Sequence, residues 1–503
     1  MDNTSVDIIE HLHSLDSEFD LSADSIAIIL AAGHGKRIKS ETSKMLHQIW
    51  GVPTVVRVAN AAKEGLDTGN QVMVVGIKAI DVAASVGKEK ERRFAYQAVQ
   101  NGTGDAVRIA LEATPDSGYD GDLYIFPGDM GLLHGAAVKE FKQAFLQDPC
   151  DMMVLTGIYE GDPAENYYGR IVRVPAKDVE GRDAGEEEGK VIEIKEHKDI
   201  LAIKEDKPYK VEYKGKTYAF SRQELLELRE FNTGVYAFKS GPLRSFITKL
   251  STDNVQGELY LTDLISIFNQ SGLSVKAAPA SDNRTVLGFN VKSVLKEMDN
   301  YAREAAYEKL KDIITIADKD DFFIADEVIE AILRLDKEQA PLDITVGKGV
   351  YIDKSVRINK GVQIHRDAHI TGNVLLNEGV VIQENVRLST FHGQHLKIGP
   401  GTEIFQESEI KGNTEMGANC RIESHVNITG SNVHPTRIGD NVVIKGRTYV
   451  YGCIIENDVK IEHSVLKSKK VERRIRPDGS IQPIRYVIPT PEGLDSISPL
   501  KEA

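Results

Sequence analysis

Hydrophobic and polar positions divide the chain into two regimes. From Ile26 to about Asn290, short β-branched runs alternate with helix-like segments. "IAIILAA" precedes the helical "VPTVVRVANAAKEGL", then comes "QVMVVGI". Later "DLYIFPGD" is followed by the helical "GAAVKEFKQAF" and then "DMMVLTGIY". That alternation predicts an α/β domain built on a mostly parallel sheet covered on both faces. Ligands of such folds bind at the carboxyl ends of the strands. The second half follows a period of six. Apolar residues recur from Ile352 through Ile358, Ile364, Ile370, Leu376 and Ile382 to Leu388. A small or apolar residue, such as Val350, Val356, Val362 or Ala368, stands two positions before each. The ladder skips four residues at "STFHGQHLKIG", resumes from Ile398 to Ile428, skips four at "TGSNVHPTRIG" and resumes at Ile438, Ile444 and Val450. A sustained six matches neither 3.6 nor 2. It predicts a parallel β-solenoid with one inward side chain per short strand and three strands per turn.

The expected divisions are an acidic extension (1–24), an α/β domain (25–300), a helical connector (301–341), the solenoid (342–467) and a tail (468–503). The extension has apolar positions at Val6, Ile9, Leu12 and Leu15, the pattern of a short docking helix. The tail carries five prolines and no hexads; it is either loosely ordered or laid along the end of the solenoid, where a repeat stack needs a cap.

Composition narrows the function class. The 503 residues carry a net charge of −14, which argues against coating nucleic acid but leaves room for a local basic pocket. No run approaches the roughly 18 apolar residues of a membrane span. The N-terminus lacks the basic-then-apolar layout of a signal peptide. Cys150, Cys420 and Cys453 are too few and too scattered for a disulfide framework or a zinc knuckle. A reduced, cytoplasmic, soluble protein is expected.

Candidate chemistry begins directly after the first strand, in "LAAGHGKRIKSETSKMLHQIWGVP". The dinucleotide pattern fails because position 38 is isoleucine, and the Walker pattern is missing. What remains is a strand end with two glycines that admit an anion to backbone N–H groups, and Arg37 and Lys44 to neutralise it. A solvated basic turn is the other reading of the same residues.

Further motifs follow in order: "QAVQNGTGDA" (97–106), "FPGDM" (126–130), "YGRIVR" (168–173), "IKEHKD" (194–199), "FNTGVYAF" (231–238), "NVQGELYLTDLI" (254–265) and "LGFNVK" (287–292). Together with the glycine loop they resemble the sugar-1-phosphate nucleotidyltransferase family, nearest its bacterial N-acetylglucosamine-1-phosphate uridyltransferase branch. The resemblance is detailed from residue 26 to about 300 and architectural over the solenoid. It implies a Rossmann-like domain with a mixed, mostly parallel sheet, followed by a left-handed parallel β-helix of hexapeptide repeats. It also implies Mg²⁺-dependent transfer of a uridylyl group from UTP to N-acetylglucosamine 1-phosphate or a close sugar phosphate.

Carried over by resemblance, Leu30, Ala31, Ala32, Gly33 and Gly35 would contact the nucleotide, with Arg37 and Lys44 catalytic on the phosphates. Asp129 and Asn290 would ligate Mg²⁺. Gln97, Gly102 and Thr103 would read the uracil edge, and Gly169, Glu196 and Asn232 would face the sugar, with Asn290 counted among the substrate-binding residues as well. The expected partners are UTP and a sugar 1-phosphate, with neither nucleic acid nor membrane, in a homo-oligomer such as a trimer formed through the β-helix.

Three departures stand against the family pattern. Residues 176–190 and 203–228 are longer than expected and flank the sugar pocket; as charge runs they also read as solvated hairpins. Pro127 replaces a small or polar residue. In the solenoid, the acetyltransferase patterns A-G-H-x-x-Y-x-G-D and N-Y-D-G are not found. His392, His395, His425 and His434 remain as general-base candidates or plain surface residues. Acetyl transfer is therefore not expected. A bifunctional enzyme and a non-catalytic regulatory subunit are the alternative readings.

Overall fold

A computed structural model describes residues 3–33, 35–115 and 119–487; His34 and residues 488–503, the end of the tail, lie outside them. The chain divides into two compact units, Met1–Asp299 and Asn300–Ala503.

The first unit is organised by one mixed sheet. Its strands are β1 (Ser25–Ala31), β2 (Gln71–Val75), β3 (Arg92–Tyr96), β4 (Asp122–Pro127), β5 (Met152–Ile158), β6 (Arg170–Arg173), β7 (Val191–Lys195), β8 (Glu230–Lys239) and β9 (Val275–Pro279). The order is β9-β5-β8-β4-β1-β2-β3, with β6 pairing β8 and β7 pairing β6. β1 runs parallel to β2 and β4, β2 to β3 and β9 to β5, while β8 is antiparallel to both its long neighbours. The sheet is thus mixed and mostly parallel. Its central strand explains why: Ala27, Ile29 and Ala31 enter one hydrophobic cluster and Ile26 and Ile28 the other, all fully buried. A strand covered on both faces reads as a continuous apolar run.

Helices Thr54–Leu66 and Gly135–Gln147 cover the first face, and Thr103–Glu112 and Leu264–Gln270 the second. The extension forms helix Asn3–Leu15 with Leu12 buried in the first cluster. It ends where Asp16 accepts from Phe94 N at 2.8 Å and Ser17 N donates to Arg92 O at 2.8 Å. Between β7 and β8 lies a hairpin, Tyr209–Tyr213 with Lys216–Phe220, and the helix Arg222–Glu227. It is more than a solvated excursion. Tyr213 and Tyr218 are buried with Val174, Ala184 and Ile192, a small hydrophobic core of its own.

The second unit is a left-handed parallel β-helix with sheets of eight, eight and seven strands. Ile352 pairs with Ile370 and Ile364 with Ile382, so one coil takes eighteen residues. At each interruption the spacing grows by four, as in Leu376 with Ile398 and Met416 with Ile438. The hexad residues from Ile352 to Val450 are at most 7% exposed, which puts the whole ladder inside. The coils begin earlier than the hexads suggest: Thr315–Ile316 and Phe322–Ile324 already pair with Thr345–Val346 and Val350–Ile352. Helix Asp326–Gln339 is inserted there and breaks the period. At the other end Ile484 bridges Ile461, and Arg485 donates to Glu462 at 2.6 Å, so this part of the tail lies along the last coil. Among the described residues, no helix is long and apolar enough to cross a membrane.

Candidate functional site

The glycine loop leaves the carboxyl end of β1 at the centre of the sheet. Gly35 has φ +64°, and a Cβ there would lie 2.7 Å from the Cβ of Lys44. Only glycine fits that approach without strain. A single turn, Lys36–Ile38, follows, with Arg37 exposed on it. A second turn, Lys44–Leu46, brings Lys44 back towards the strand ends, where it is 8% exposed.

Beside it, β4 ends at Pro127 opposite Leu30, and Gly128 N donates to Leu30 O at 2.9 Å. Pro127 thus stays within the strand pairing, and Asp129 is delivered next to the loop. The Lys44 ammonium donates to the Asp129 carboxylate and, at 3.0 Å, to Asn290 Oδ1. The ring of Phe289 lies 5.3 Å below the same ammonium. Residues from three distant segments, 44, 129 and 290, are therefore drawn onto one cationic group. Two hard oxygen donors around a cation are also the donor set that Mg²⁺ prefers when substrate phosphates complete its shell. Among the described residues, no group of three or more His, Cys, Asp or Glu is arranged to hold a metal by itself.

The "QNGTGDA" motif sits at the end of the next strands. Gln97 is 3% exposed; its N donates to Val75 O at 2.8 Å and its Nε2 to Asp105 Oδ2 at 2.9 Å. Gln100 Nε2 donates to Gln97 O at 3.2 Å. Gly102 precedes helix Thr103–Glu112. Thr103 Oγ1 accepts from Leu261 N at 3.1 Å, and Gly104 N donates to Leu259 O at 2.8 Å. The motif is thereby fastened to the "GELYLTD" run.

Gly169, Glu196 and Asn232 come together in a second group. Asn232 N donates to Gly169 O at 2.8 Å, and a Cβ on Gly169 would stand 3.0 Å from Glu196 Oε1. Asn232 Nδ2 donates to Tyr236 Oη at 2.8 Å at an irregularity in β8. Glu196 lines a cavity of about 100 Å³ together with Lys195, Asp199, Tyr260, Thr262 and Asp263. Burial, reinforced by Asp199 and Asp263, raises the Glu196 carboxyl to about 7. Burial likewise raises Asp263 to about 6.

Tyr168 links the two halves. Its hydroxyl donates to Gly288 O at 3.0 Å, and its ring stacks on Phe231 at 4.5 Å. Burial and the nearby Asp129 push that hydroxyl up to about 12, so it stays a donor. Tyr168, Tyr260, Thr262 and Phe289 are not among the candidates that the sequence offers. Each lies inside a motif noted above ("YGRIVR", "NVQGELYLTDLI" and "LGFNVK"), and that placement is the signal in the sequence by which they could be found. The histidines of the β-helix are not gathered: His395 pairs with Glu415 at 2.8 Å, His425 with Glu407 at 3.2 Å, and His434 meets Tyr451 edge-on.

The chain is similar to known nucleotidyltransferases. A family model described as a MobA-like NTP transferase domain matches residues 27–190. The bifunctional protein GlmU of Streptomyces griseus is 36% identical over 292 residues, covering 58% of this chain and 53% of its own length. The match thus spans about half of that relative. The bifunctional protein GlmU of Caldanaerobacter subterraneus is 30% identical over 444 residues, covering 88% of this chain and 85% of its own. A solved structure of a putative glucose-1-phosphate thymidylyltransferase from Bacillus anthracis, in complex with a sucrose, aligns over 56% of this chain and 95% of its own. It does so at 19% identity with a TM-score of 0.38, a likeness too slight to bear on substrate.

Proposed function

This chain belongs to the GlmU family of sugar-1-phosphate nucleotidyltransferases, and we propose that it transfers a uridylyl group from UTP to N-acetylglucosamine 1-phosphate or a close sugar 1-phosphate. A phosphate oxygen of the sugar phosphate attacks the α-phosphorus of UTP in line. The bond from that phosphorus to the β-phosphate oxygen breaks, and pyrophosphate leaves with the electron pair.

The observation that carries the reading is the convergence of Lys44, Asp129 and Asn290 at the strand ends beside the glycine loop. Two polyanions must be gathered there, so positioning and charge neutralisation dominate the chemistry. Gly33 and Gly35 let the triphosphate approach the backbone, and Arg37 and Lys44 balance its charge. Asp129 and Asn290 would hold Mg²⁺, which when bound supplies further charge neutralisation on the phosphoryl oxygens. Leu30, Ala31 and Ala32, at the end of β1, are assigned to nucleotide binding. Gln97, Gly102 and Thr103 take the uracil edge, and Gly169, Glu196 and Asn232 take the sugar.

The three cysteines are free and buried, which suits a reducing cytoplasm. Self-association is assigned to the β-helix, where Phe391, Val433 and Ile454 are exposed apolar side chains.

Pyrophosphate release tests the reading. The protein is incubated with Mg²⁺, UTP and each of the N-acetylglucosamine, glucose, galactose and N-acetylgalactosamine 1-phosphates. Turnover with one of them supports the assignment and names the sugar. No turnover with any of them overturns it and leaves a non-catalytic role.

A further inference from the structure

Strand β7 carries two side chains on the wall of the sugar cavity that the reaction as written does not use, Glu193 and Lys195. Glu193 Oε2 accepts a hydrogen bond of 2.9 Å from the hydroxyl of Tyr209. Glu193 Oε1 is buried and has no hydrogen-bond partner. The Lys195 ammonium sits 4.2 Å from the centroid of the Tyr209 ring, so a cation–π contact holds it there while Oε1 stays without a donor. One tyrosine therefore fixes both neighbours, the carboxylate with its hydroxyl and the ammonium with its ring.

Tyr209 opens the hairpin of the long segment 203–228. It packs with Ile203, Phe220 and Leu226 against Val172, Ile200 and Leu225, an apolar base that makes it a firm support. A second orphan faces the same cavity: Thr262 is 5% exposed, and its Oγ1 also has no partner. Buried polar atoms are nearly always paired, so two unpaired ones on one small cavity mark a place where a ligand supplies the missing hydrogen bonds. An unpaired carboxylate oxygen accepts only, and the complementary ligand group is a donor. A sugar hydroxyl is such a group.

We propose that Glu193 Oε1 accepts a hydrogen bond from a hydroxyl of the sugar, and that Tyr209 is the positioning residue that holds Glu193 ready for it. The proposal rests on the sugar-phosphate reading above and extends it. The hairpin segment gives this site a means of telling one sugar from another at the β7 wall. A deoxy sugar lacking that hydroxyl leaves the carboxylate oxygen buried and unpaired, and the site rejects it.

The test is pyrophosphate release with the accepted sugar 1-phosphate and its 3-, 4- and 6-deoxy analogues. It compares wild type, Tyr209→Phe, Glu193→Ala and the double variant, each checked for native thermal unfolding. Wild type is expected to prefer the parent over one deoxy analogue by about 50-fold or more in kcat/KM, as sites that bind a substrate hydroxyl do. Glu193→Ala brings that ratio to within about threefold of unity. Tyr209→Phe keeps the ring and lowers the ratio about tenfold through the KM for the sugar, leaving the KM for UTP unchanged. The double variant is no worse than Glu193→Ala, because the two residues act as one unit.

The proposal is overturned if wild type discriminates against none of the analogues, or if both single variants keep the wild-type ratio. A parallel rise of both KM values also overturns it, since that reports general disruption. Failure of the underlying reading looks different: wild type then releases no pyrophosphate with any sugar phosphate.

Discussion

Lys44 donates to the carboxylate of Asp129, 85 positions further along the chain, and both side chains are largely withdrawn from solvent. The pairing concentrates the charge of the site at one point, where the ends of β1 and β4 meet and the amide oxygen of Asn290 closes in. A cation held between a carboxylate and an amide oxygen, next to a loop open to anions, is arranged for phosphoryl chemistry.

Asp129→Ala should lower pyrophosphate release by about 10²–10³ in kcat, the loss typical of removing one preorganised electrostatic contact. Lys44 retains Asn290 as an acceptor, so the fold should survive, with a thermal midpoint close to that of wild type. Steady-state kinetics beside a melting curve check both halves. An active Asp129→Ala protein would remove Asp129 from the chemistry.

Gly35→Ala tests the loop itself. A side chain at φ +64° is strained, and its Cβ would collide with Lys44. The backbone strain costs about 1–2 kcal/mol of stability, and relief of the clash must displace Lys44 from Asp129. Activity should therefore fall by about tenfold or more, beyond what the modest loss of stability explains. Denaturant unfolding and kcat measured on the same preparation separate the two effects.

Much of this architecture is legible in the sequence because its signals are local. The hexad ladder is readable since parallel coils stack Ile352 on Ile370 and Ile364 on Ile382, so one inward position repeats at fixed spacing. The first coil escapes the same reading, because helix Asp326–Gln339 separates its strands. In the site, the glycine loop and the Gly-Asp strand end announce themselves as motifs. The support of Glu193 does not: its partner Tyr209 comes from a segment whose charged sequence reads as a solvated hairpin, and only tertiary packing withdraws it partly from solvent. The orphaned hydroxyl of Thr262 is likewise a property of the folded cavity, not of the chain.

The carboxyl of Glu196 makes stability depend on pH. Burial first, then Asp199 and Asp263, raises it from 4.5 to about 7 in the folded protein. The unfolded chain releases the proton near the ordinary carboxylate value, whereas the folded chain keeps it until about pH 7. Between those values the folded state binds more protons, so stability falls as pH rises and levels off above the folded value. The full effect is at most about 3 kcal/mol, at 1.36 kcal/mol per pH unit. Urea unfolding from pH 4.5 to 8 should show a decline that is largely flattened in Glu196→Gln. An unchanged slope in that variant would assign the effect to other groups.

The β-helix makes a sharper contrast between neighbouring positions. Ile410 is fully buried between Leu388 and Ile428 in the stacked coils, while Glu409 and Lys411 on either side point outward and pair at 3.2 Å with both side chains more than a third exposed. Ile410→Ala removes buried methyl groups and leaves a cavity that the rigid coil cannot close, so it should cost about 2–5 kcal/mol. Glu409→Ala breaks only an exposed ion pair and should stay within about 1 kcal/mol. Each coil rests mainly on its two neighbours, so a weakened rung loosens the stack locally. Amide exchange should then speed up most in the strands on either side, Arg387–Ser389 and Asn427–Gly430, and least in the end coils. Uniform acceleration along the whole β-helix would show instead that the unit unfolds as one cooperative body.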